Sequence, residues 1–170
     1  MTTIPDTIEN PVTGERIRFL ESTPERLVFA LEVRPGGFVA SAHLHPLQEE
    51  TFAIAEGSLL FRIGRDEVKA EPGDAIRLPR GVPHTWRQLG EGPVRCTCTL
   101  TPALEWEHLF RHVFAAAHRD DADPRTGFPP LCELLRILAA FPDHAYAPFP
   151  PPALQKAAAR LLYGRGAAAD

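Results

Sequence analysis

The chain has 170 residues, of which 44% are hydrophobic and 24% are charged, a composition typical of a globular protein with one sizeable core. A net charge of −4 gives no electrostatic basis for binding nucleic acid or an anionic membrane. The first ten residues show no signal peptide, no apolar run is long enough to span a membrane, and the three cysteines lack a zinc-ribbon spacing. We therefore expect a cytosolic protein with reduced thiols.

Short strands separated by turn signals predict a sandwich or barrel over residues 10–102, preceded by an N-terminal arm at residues 1–9. An alternating strand is predicted at 16–20. The segment Leu27–Val33 is apolar on both faces apart from Glu32, which predicts a strand covered on both sides. We expect a helix or a second subunit on its outer face, and hence a homodimer. Further strands are predicted at 58–63, 67–70, 75–78, 84–89 and 94–100.

The pattern changes to helical spacing after residue 100. Thr101 is predicted to cap a helix whose first residue is Pro102 and whose apolar positions recur as far as Ala117. Two more helices are predicted at 131–138 and 153–162, with a proline-rich connector before the second. Such helices cannot bury their apolar faces alone, so residues 103–170 are expected to form a helical appendage packed on the barrel or on a partner.

A group of polar residues in the middle of the barrel segment predicts a metal site. His43 and His45 are two residues apart, so on a strand both imidazoles leave the same face. The chain then turns, and on the next strand Glu50 shares the parity of the apolar residues Phe52 and Ile54. Two imidazoles and one carboxylate therefore face the same interior, where an unpaired carboxylate costs several kcal/mol and a divalent cation satisfies all three groups.

His84 provides a further candidate ligand after the Gly-Val-Pro turn signal at 81–83. Three imidazoles and one carboxylate are a mixed nitrogen and oxygen set, which suits Fe, Mn, Ni, Co, Cu or Zn and is poor for Ca. Four protein ligands leave open positions on a metal that prefers five or six, and open positions predict chemistry on a small molecule.

These residues resemble the two sequence motifs of the cupins. The first motif places two glycines around His-x-His and Glu, and it is matched in register by Gly37, His43, His45, Glu50 and Gly57. The second motif is matched by Gly73, Pro79, Gly81 and His84, with Gln88 where Asn is usual. The resemblance implies a mainly β fold, the double-stranded β-helix or jelly-roll barrel, with His43, His45, Glu50 and His84 as the metal ligands. The Gln88 departure affects a position that is usually not a ligand, so it bears only on a local hydrogen bond.

The interior of such a barrel would bind the substrate. Trp86 shares the parity of His84, so it is the aromatic residue expected closest to a bound molecule. An apolar lining favours an apolar or aromatic small molecule over a sugar phosphate. The predicted substrate pocket comprises Phe52, Ile54, Phe61, Ile63, Trp86 and Gln88.

Other polar residues have structural interpretations. Gln48 and Glu49 are predicted to lie on the surface, with Glu49 a minority candidate for a second base. Cys96 and Cys98 share a strand face and are predicted to be buried thiols without a disulfide, since side chains at this spacing run parallel. Cys132 is predicted in a helix core.

Four histidines of the C-terminal part are predicted to be non-functional. The pair His108 and His112 is expected on a solvated helix face because no third metal ligand is evident. His118 and His144 are expected in loops or at helix ends without a partner cluster.

Cupins include dioxygenases, isomerases, cyclases, storage proteins and sensors, so the resemblance leaves the reaction open. Our first hypothesis is oxidation of a small apolar or aromatic molecule by dioxygen at a divalent centre, with Fe expected before the other metals. The second is redox-neutral isomerisation, cyclisation or lyase action in which Glu50 moves a proton. The third is a non-catalytic binding module. The predicted helices carry no basic cluster for DNA, and they are a candidate lid over the barrel mouth, which favours an enzyme.

Overall fold

The computed structural model of the protein describes residues 6–163, over which β-strands precede α-helices in the chain. The strands are β1 (Thr7–Asn10), β2 (Glu15–Ser22), β3 (Leu27–Val33), β4 (Glu49–Glu56), β5 (Ser58–Ile63), β6 (Asp66–Ala70), β7 (Ala75–Leu78), β8 (His84–Leu89) and β9 (Val94–Thr101). The helices are α1 (Trp106–Ala116), α2 (Leu131–Ala140) and α3 (Pro152–Tyr163). The predicted strands that correspond to β2 through β9 are confirmed, with ends that differ by two residues at most, whereas no regular strand forms at His43 and His45.

The strands form two antiparallel sheets whose inner faces pack on each other. The larger sheet has the order β1-β2-β3-β9-β4-β7 and the smaller one the order β6-β5-β8. Phe52 of the larger sheet contacts Phe61 and Trp86 of the smaller one, with ring centroids 5.1 and 6.3 Å apart. The mainly β jelly-roll architecture expected from the sequence motifs is therefore present.

Buried residues alternate with more exposed ones along the strands, which places the core between the sheets. On β3 the buried residues are Leu27, Phe29, Leu31 and Val33, and on β9 they are Val94, Cys96, Cys98 and Leu100. The register pairs these two rows with each other, so both face the same interior. Full burial of each large apolar side chain stabilises the fold by about 1.5–3 kcal/mol.

The N-terminal arm predicted at residues 1–9 is corrected for its last part. Residues 7–9 belong to β1, which pairs with β2 in antiparallel register from Thr7↔Arg18 to Asn10↔Glu15. Residues 1–5 lie outside the described part of the chain. On the outer face of β3, Val28 and Ala30 are half-buried, and the homodimer expected from this face stays a prediction.

The first helix begins later than the sequence predicts. Thr101 is the last residue of β9, where it pairs with Glu49 of β4, so its assignment as a helix cap is wrong because strand pairing continues through it. The helix starts at Trp106 after Glu105, which makes no side-chain capping bond. Its buried residues Trp106, Leu109 and Phe114 join the barrel core, so α1 packs on the barrel.

The second and third helices lie farther from the core. α2 buries only Ile137, and its Cys132 is exposed, so the prediction of a helix-core cysteine is wrong because α2 turns that side away from the barrel. α3 buries no residue and packs mainly on α2. The end of the predicted appendage, residues 164–170, lies outside the described part. No helix within residues 6–163 has both the length and the apolar character needed to cross a membrane.

Candidate metal centre

Backbone pairing brings His43 and His84 together. Each of the two residues donates its N–H to the carbonyl of the other, at 3.0 and 2.8 Å. His84 opens β8, whereas residues 38–45 make only isolated bridges, so the regular strand expected for His43 and His45 is absent. The carbonyl of His45 accepts a bond of 2.8 Å from the amide of Gly81, which holds the second histidine beside the same turn.

The two glycines of the first motif permit close approaches at the ends of this region. A Cβ on Gly37 would lie 2.4 Å from Val33 Cγ1 and 2.9 Å from the Thr13 carbonyl. Gly57 has φ +74°, and a Cβ there would lie 2.5 Å from the Pro93 carbonyl. Only glycine fits at either position without displacing backbone.

The three imidazoles converge on one point. Their ring centroids are 4.6–4.9 Å apart, and one ring nitrogen of each lies within 4.8 Å of the others. Glu50 on β4 borders the same point, with Oε2 3.3 Å from His45 Nε2 and 3.7 Å from His84 Nε2. His45, His84 and Glu50 are buried, and His43 is partly exposed. The structure therefore brings together all four residues that the sequence singles out.

Backbone carbonyls fix the tautomer of each histidine. Every Nδ1 lies within hydrogen-bond distance of a carbonyl oxygen, and because a carbonyl only accepts, Nδ1 carries the proton and Nε2 keeps its lone pair. The bonds are His43 to Ser41 (2.9 Å), His45 to His144 (3.0 Å) and His84 to Val82 (3.0 Å). His84 Nε2 is buried without a hydrogen-bond partner. Carbonyls that orient metal-binding imidazoles in this way are typical of metal sites in proteins.

The pKa shifts favour the protonation state that a metal requires. Desolvation, together with the neighbouring imidazoles, lowers the pKa of His43 to about 3, and burial lowers that of His84. Burial acts to raise the pKa of Glu50, but the interaction of its carboxylate with the three neighbouring imidazoles, His45 above all, outweighs burial, so the pKa of Glu50 is lowered. His43 and His84 are therefore neutral and Glu50 is ionised near neutral pH, as metal binding needs.

These observations fit a divalent transition metal. Three imidazole nitrogens and an adjacent carboxylate match the preferences of Fe, Mn, Ni, Co, Cu and Zn and do not match those of Ca. The three histidines are placed so that they could hold such an ion. Coordination by Glu50 as a fourth ligand stays a prediction.

A small cavity of about 50 Å³ adjoins the centre. His43, His45 and Glu50 form part of its wall, and its aromatic lining consists of Phe29, Phe52, Trp86, Trp106 and Phe110. Since one water molecule occupies about 30 Å³ in the liquid, the cavity holds one or two waters and no aromatic ring. A larger substrate must approach from the partly exposed side of His43 or displace part of the wall.

Two of the six predicted pocket residues, Phe52 and Trp86, line this cavity. Ile54 and Phe61 are buried in the apolar core, and Ile63 packs against it from the end of β5. Gln88 is buried, and its side-chain amide forms hydrogen bonds with backbone groups. Its Oε1 accepts from the Gly36 amide at 2.8 Å, and its Nε2 lies 2.7–3.1 Å from three carbonyls in residues 89–92. Its placement in the pocket is corrected, because these bonds turn its amide toward two loops.

The segment 141–146 covers the centre in a way that the sequence does not reveal. Tyr146 pairs with Leu44 through bonds of 2.9 and 3.0 Å, and the His144 carbonyl holds His45. His144 is buried, and its Nε2 accepts from the Glu105 amide at 3.0 Å, so its assignment as a residue without partners is wrong. Gln48 is fully buried and donates to the Asp143 carbonyl at 3.0 Å, so its predicted surface position is also wrong.

Two further residues of the cavity wall, Trp106 and Glu15, are not among those predicted from the sequence. Trp106 packs edge-on to His45, with ring centroids 5.0 Å apart, and no local pattern distinguishes it from other helix-core residues. Glu15 lines the cavity from β2. The parity argument that identified Glu50 would have found it, since Glu15 shares the face of Ile17.

The remaining candidates largely match their structural interpretations. Cys96 and Cys98 are buried free thiols whose Sγ atoms lie 3.7 Å apart. Glu49 points away from the centre and forms an ion pair with Arg77. His108 and His118 are exposed, whereas His112 is half-buried against the ring of Phe141, so the solvated face is only partly confirmed.

Comparison with known proteins agrees with the fold. The sequence profile of the cupin domain matches residues 29–100, which contain the three histidines and Glu50. The chain therefore carries a domain of the cupin superfamily. Among solved structures, KdgF from Halomonas sp. is 16% identical with a TM-score of 0.54, over 59% of this chain and 89% of that one. An RmlC-like cupin from Shewanella frigidimarina is 19% identical with a TM-score of 0.52, over 59% and 86%.

Two curated proteins resemble the cupin region. The tetracenomycin polyketide synthase protein TcmJ of Streptomyces glaucescens is 32% identical over 72 residues, which are 42% of this chain and 48% of that protein. An uncharacterized protein of Methanocaldococcus jannaschii is 29% identical over 73 residues, 43% of this chain and 58% of that protein. The chain thus spans about half the length of the curated relatives it matches.

Proposed function

We propose that the protein is a metal-dependent cupin enzyme that acts on a small, largely apolar or aromatic molecule. The observation that carries the proposal is the convergence of three imidazoles, each with its Nδ1 held by a carbonyl, beside a buried carboxylate. Such an arrangement of buried polar groups has a clear use only when a cation completes it.

The residues around the centre define what the chain contributes. His43 lies on the accessible side, so it borders the entry of a substrate. Trp106 and Phe52 form part of the apolar wall on the inner side. Glu50, ionised and beside the imidazoles, is positioned to take a proton from a bound molecule. A metal held there supplies Lewis acidity and, in the case of iron, reactivity toward dioxygen.

Oxidation by dioxygen is the first reaction class we propose. A three-histidine site with room for further ligands and an aromatic, water-poor surround supports it. Redox-neutral cyclisation, isomerisation or lyase action is the second candidate. It is favoured by the similarity to a polyketide synthase protein, since polyketides carry carbonyl groups that a Lewis acid polarises.

The test begins with elemental analysis of protein purified without an affinity tag, for the wild type and for His84→Ala. We expect about one equivalent of a transition metal in the wild type and its loss in the variant, because His84 Nε2 has no other partner. His108→Ala removes an exposed histidine of α1 and is the matched control that should retain the metal. Wild-type protein that takes up no metal even on reconstitution would contradict the proposal.

Oxygen dependence separates the two reaction classes. Iron-reconstituted and zinc-reconstituted protein would be incubated with a panel of aromatic and polyketide-like compounds, with and without dioxygen. Turnover that needs both iron and dioxygen supports the oxygenase. Turnover by the zinc form under anaerobic conditions supports the redox-neutral reaction and removes the oxygenase from consideration.

A further inference from the structure

Glu15 is a buried carboxyl group that has no part in the chemistry proposed above for the metal centre. It is the first residue of β2, only 9% of its surface is exposed, and it accepts a hydrogen bond of 2.7 Å from Thr13 Oγ1. Within residues 6–163, no basic side chain forms an ion pair with it. A carboxyl group among apolar residues costs several kcal/mol when ionised and unpaired, so its presence calls for an explanation.

The sheet register sets Glu15 on the same inward face as Glu50. Glu15 pairs with Val33 at one end of β3, whereas Glu50 pairs with Leu100, which in turn pairs with Leu27 at the other end. Val33 and Leu27 are six positions apart on β3, an even number, so both carboxyl groups point into the barrel. Both residues belong to the wall of the same cavity.

The cavity between them suits water. Glu15, Glu50, His43 and His45 all belong to its wall, and its volume of about 50 Å³ is large enough for one or two water molecules. The rest of its wall consists of apolar side chains and of Trp86 and Trp106, each of which carries an indole N–H. Water held there finds its hydrogen-bond partners at the two polar ends, which are the carboxyl group of Glu15 and the candidate metal centre.

We propose that Glu15 is a proton-exchanging residue for the metal centre, connected to it by water in the cavity. The proposal rests on the proposed function. A proton removed from the substrate at the centre passes from Glu50 or bound water through the cavity water to the Glu15 carboxylate, and the same proton returns to the product. No electrons move, and the net charge is conserved along the path. Glu15 acts through water and is thus a proton-relay residue.

The electrostatic surroundings of Glu15 suit this role. Burial raises the pKa of Glu15 to about 7, opposed by the Thr13 hydrogen bond and reinforced by the charge of Glu50. Other titratable groups near it are His43, His45 and Glu50, which share the cavity wall. Cys98 of β9 also acts on this region, and burial raises its pKa, so it remains a neutral thiol. The strand partners of Glu15 are the uncharged residues Asn10 and Val33. Glu15 is therefore able to hold or release a proton near neutral pH.

The experiment uses full-length protein loaded with cobalt(II), whose visible absorption reports charge changes at the centre. We expect a spectral step with a midpoint near pH 7 in the wild type. Glu15→Gln preserves the shape and the acceptor for Thr13 but cannot exchange a proton, so the step should vanish while cobalt binding persists. Glu21→Gln, at a partly exposed position of the same strand and outside the cavity wall, is the matched control and should keep the step.

A second variant keeps the proposal testable if Glu15→Gln does not fold. Thr13→Val removes the hydrogen bond that lowers the pKa of Glu15, so the midpoint should move to higher pH. An unchanged step in either variant, or no step near pH 7 in the wild type, would overturn the relay. Failure to bind cobalt at all would instead overturn the proposed function.

Turnover provides an independent measure once a substrate is found. A lost proton relay should lower kcat about tenfold or more with KM unchanged, and should remove the limb of the pH–rate profile near pH 7. A residue with a merely structural role would leave the shape of that profile unchanged.

Discussion

The helical appendage consists of two parts that differ in their relation to the barrel. α1 and the segment 141–146 belong to the metal centre: Trp106 packs on His45, and the carbonyl of residue 144 orients the same ring. α2 and α3 lie outside it, and several of their large apolar side chains are exposed, namely Leu131, Leu135, Leu154, Leu161 and Leu162. A sequence motif can thus mark the ligands of a site while part of its wall comes from a region without any motif.

The largest expected effect comes from removing the whole appendage. Deletion of residues 103–170 uncovers the barrel core and removes the three large buried residues of α1, Trp106, Leu109 and Phe114, each worth about 1.5–3 kcal/mol of burial. We expect unfolding or a loss of at least about 5 kcal/mol in the free energy of unfolding, measured by urea denaturation. Deletion of 148–170, which removes α3, should cost far less because α3 buries no residue. Equal losses in the free energy of unfolding for the two deletions would contradict this distinction between the two parts of the appendage.

The variant Trp106→Ala tests the difference between α1 and α3 at a single residue. The loss of a buried indole typically costs about 3–5 kcal/mol, and here it also enlarges the cavity beside His45. Leu161→Ala, at an exposed position of α3, should change the free energy of unfolding by less than about 0.5 kcal/mol. Denaturation midpoints compared at a constant m-value test both expectations.

The pH dependence of the free energy of unfolding reports on one buried group inside the barrel, Glu15. The pKa of Glu15 is raised from 4.5 to about 7 on folding, so the native state binds the proton more tightly than the unfolded chain. The resulting stabilisation is complete below pH 4.5, falls between pH 4.5 and about 7, and amounts to about 3 kcal/mol. Glu15→Gln should reduce this fall in urea denaturation series at several pH values. A wild-type-like profile in the variant would show that Glu15 titrates normally.

The smallest effect on the metal content is expected for the side chain of His144. His144→Ala removes the acceptor for the Glu105 amide, a loss of about 1–2 kcal/mol, but it leaves the backbone carbonyl that orients His45. The metal content should therefore remain near that of the wild type, in contrast to His84→Ala. Elemental analysis of His144→Ala and His84→Ala side by side tests this expectation. Complete loss of metal from His144→Ala would mean that the imidazole itself is required.

The strands and the candidate ligands were predictable because their signals are local. Alternation along β3 and β9, turn residues between strands and the parity of Glu50 each involve a few consecutive positions. The covering of Gln48 and His45 by residues 143–144 could not be predicted, since these contacts join positions 95 and 99 residues apart. Thr101 illustrates the converse: its local sequence favours a helix cap, and pairing with β4 overrides that preference.

The bond between His45 and residue 144 has a consequence for the tolerance of the chain to mutation. Its acceptor is a peptide oxygen, a group that all twenty amino acids share. Substitution at position 144 therefore does not delete the acceptor, and only a change in the path of the main chain takes it away from the imidazole. The orientation of His45 thus depends on the path of the main chain at residue 144, and the side chain at that position can change without loss of this bond wherever that path is preserved.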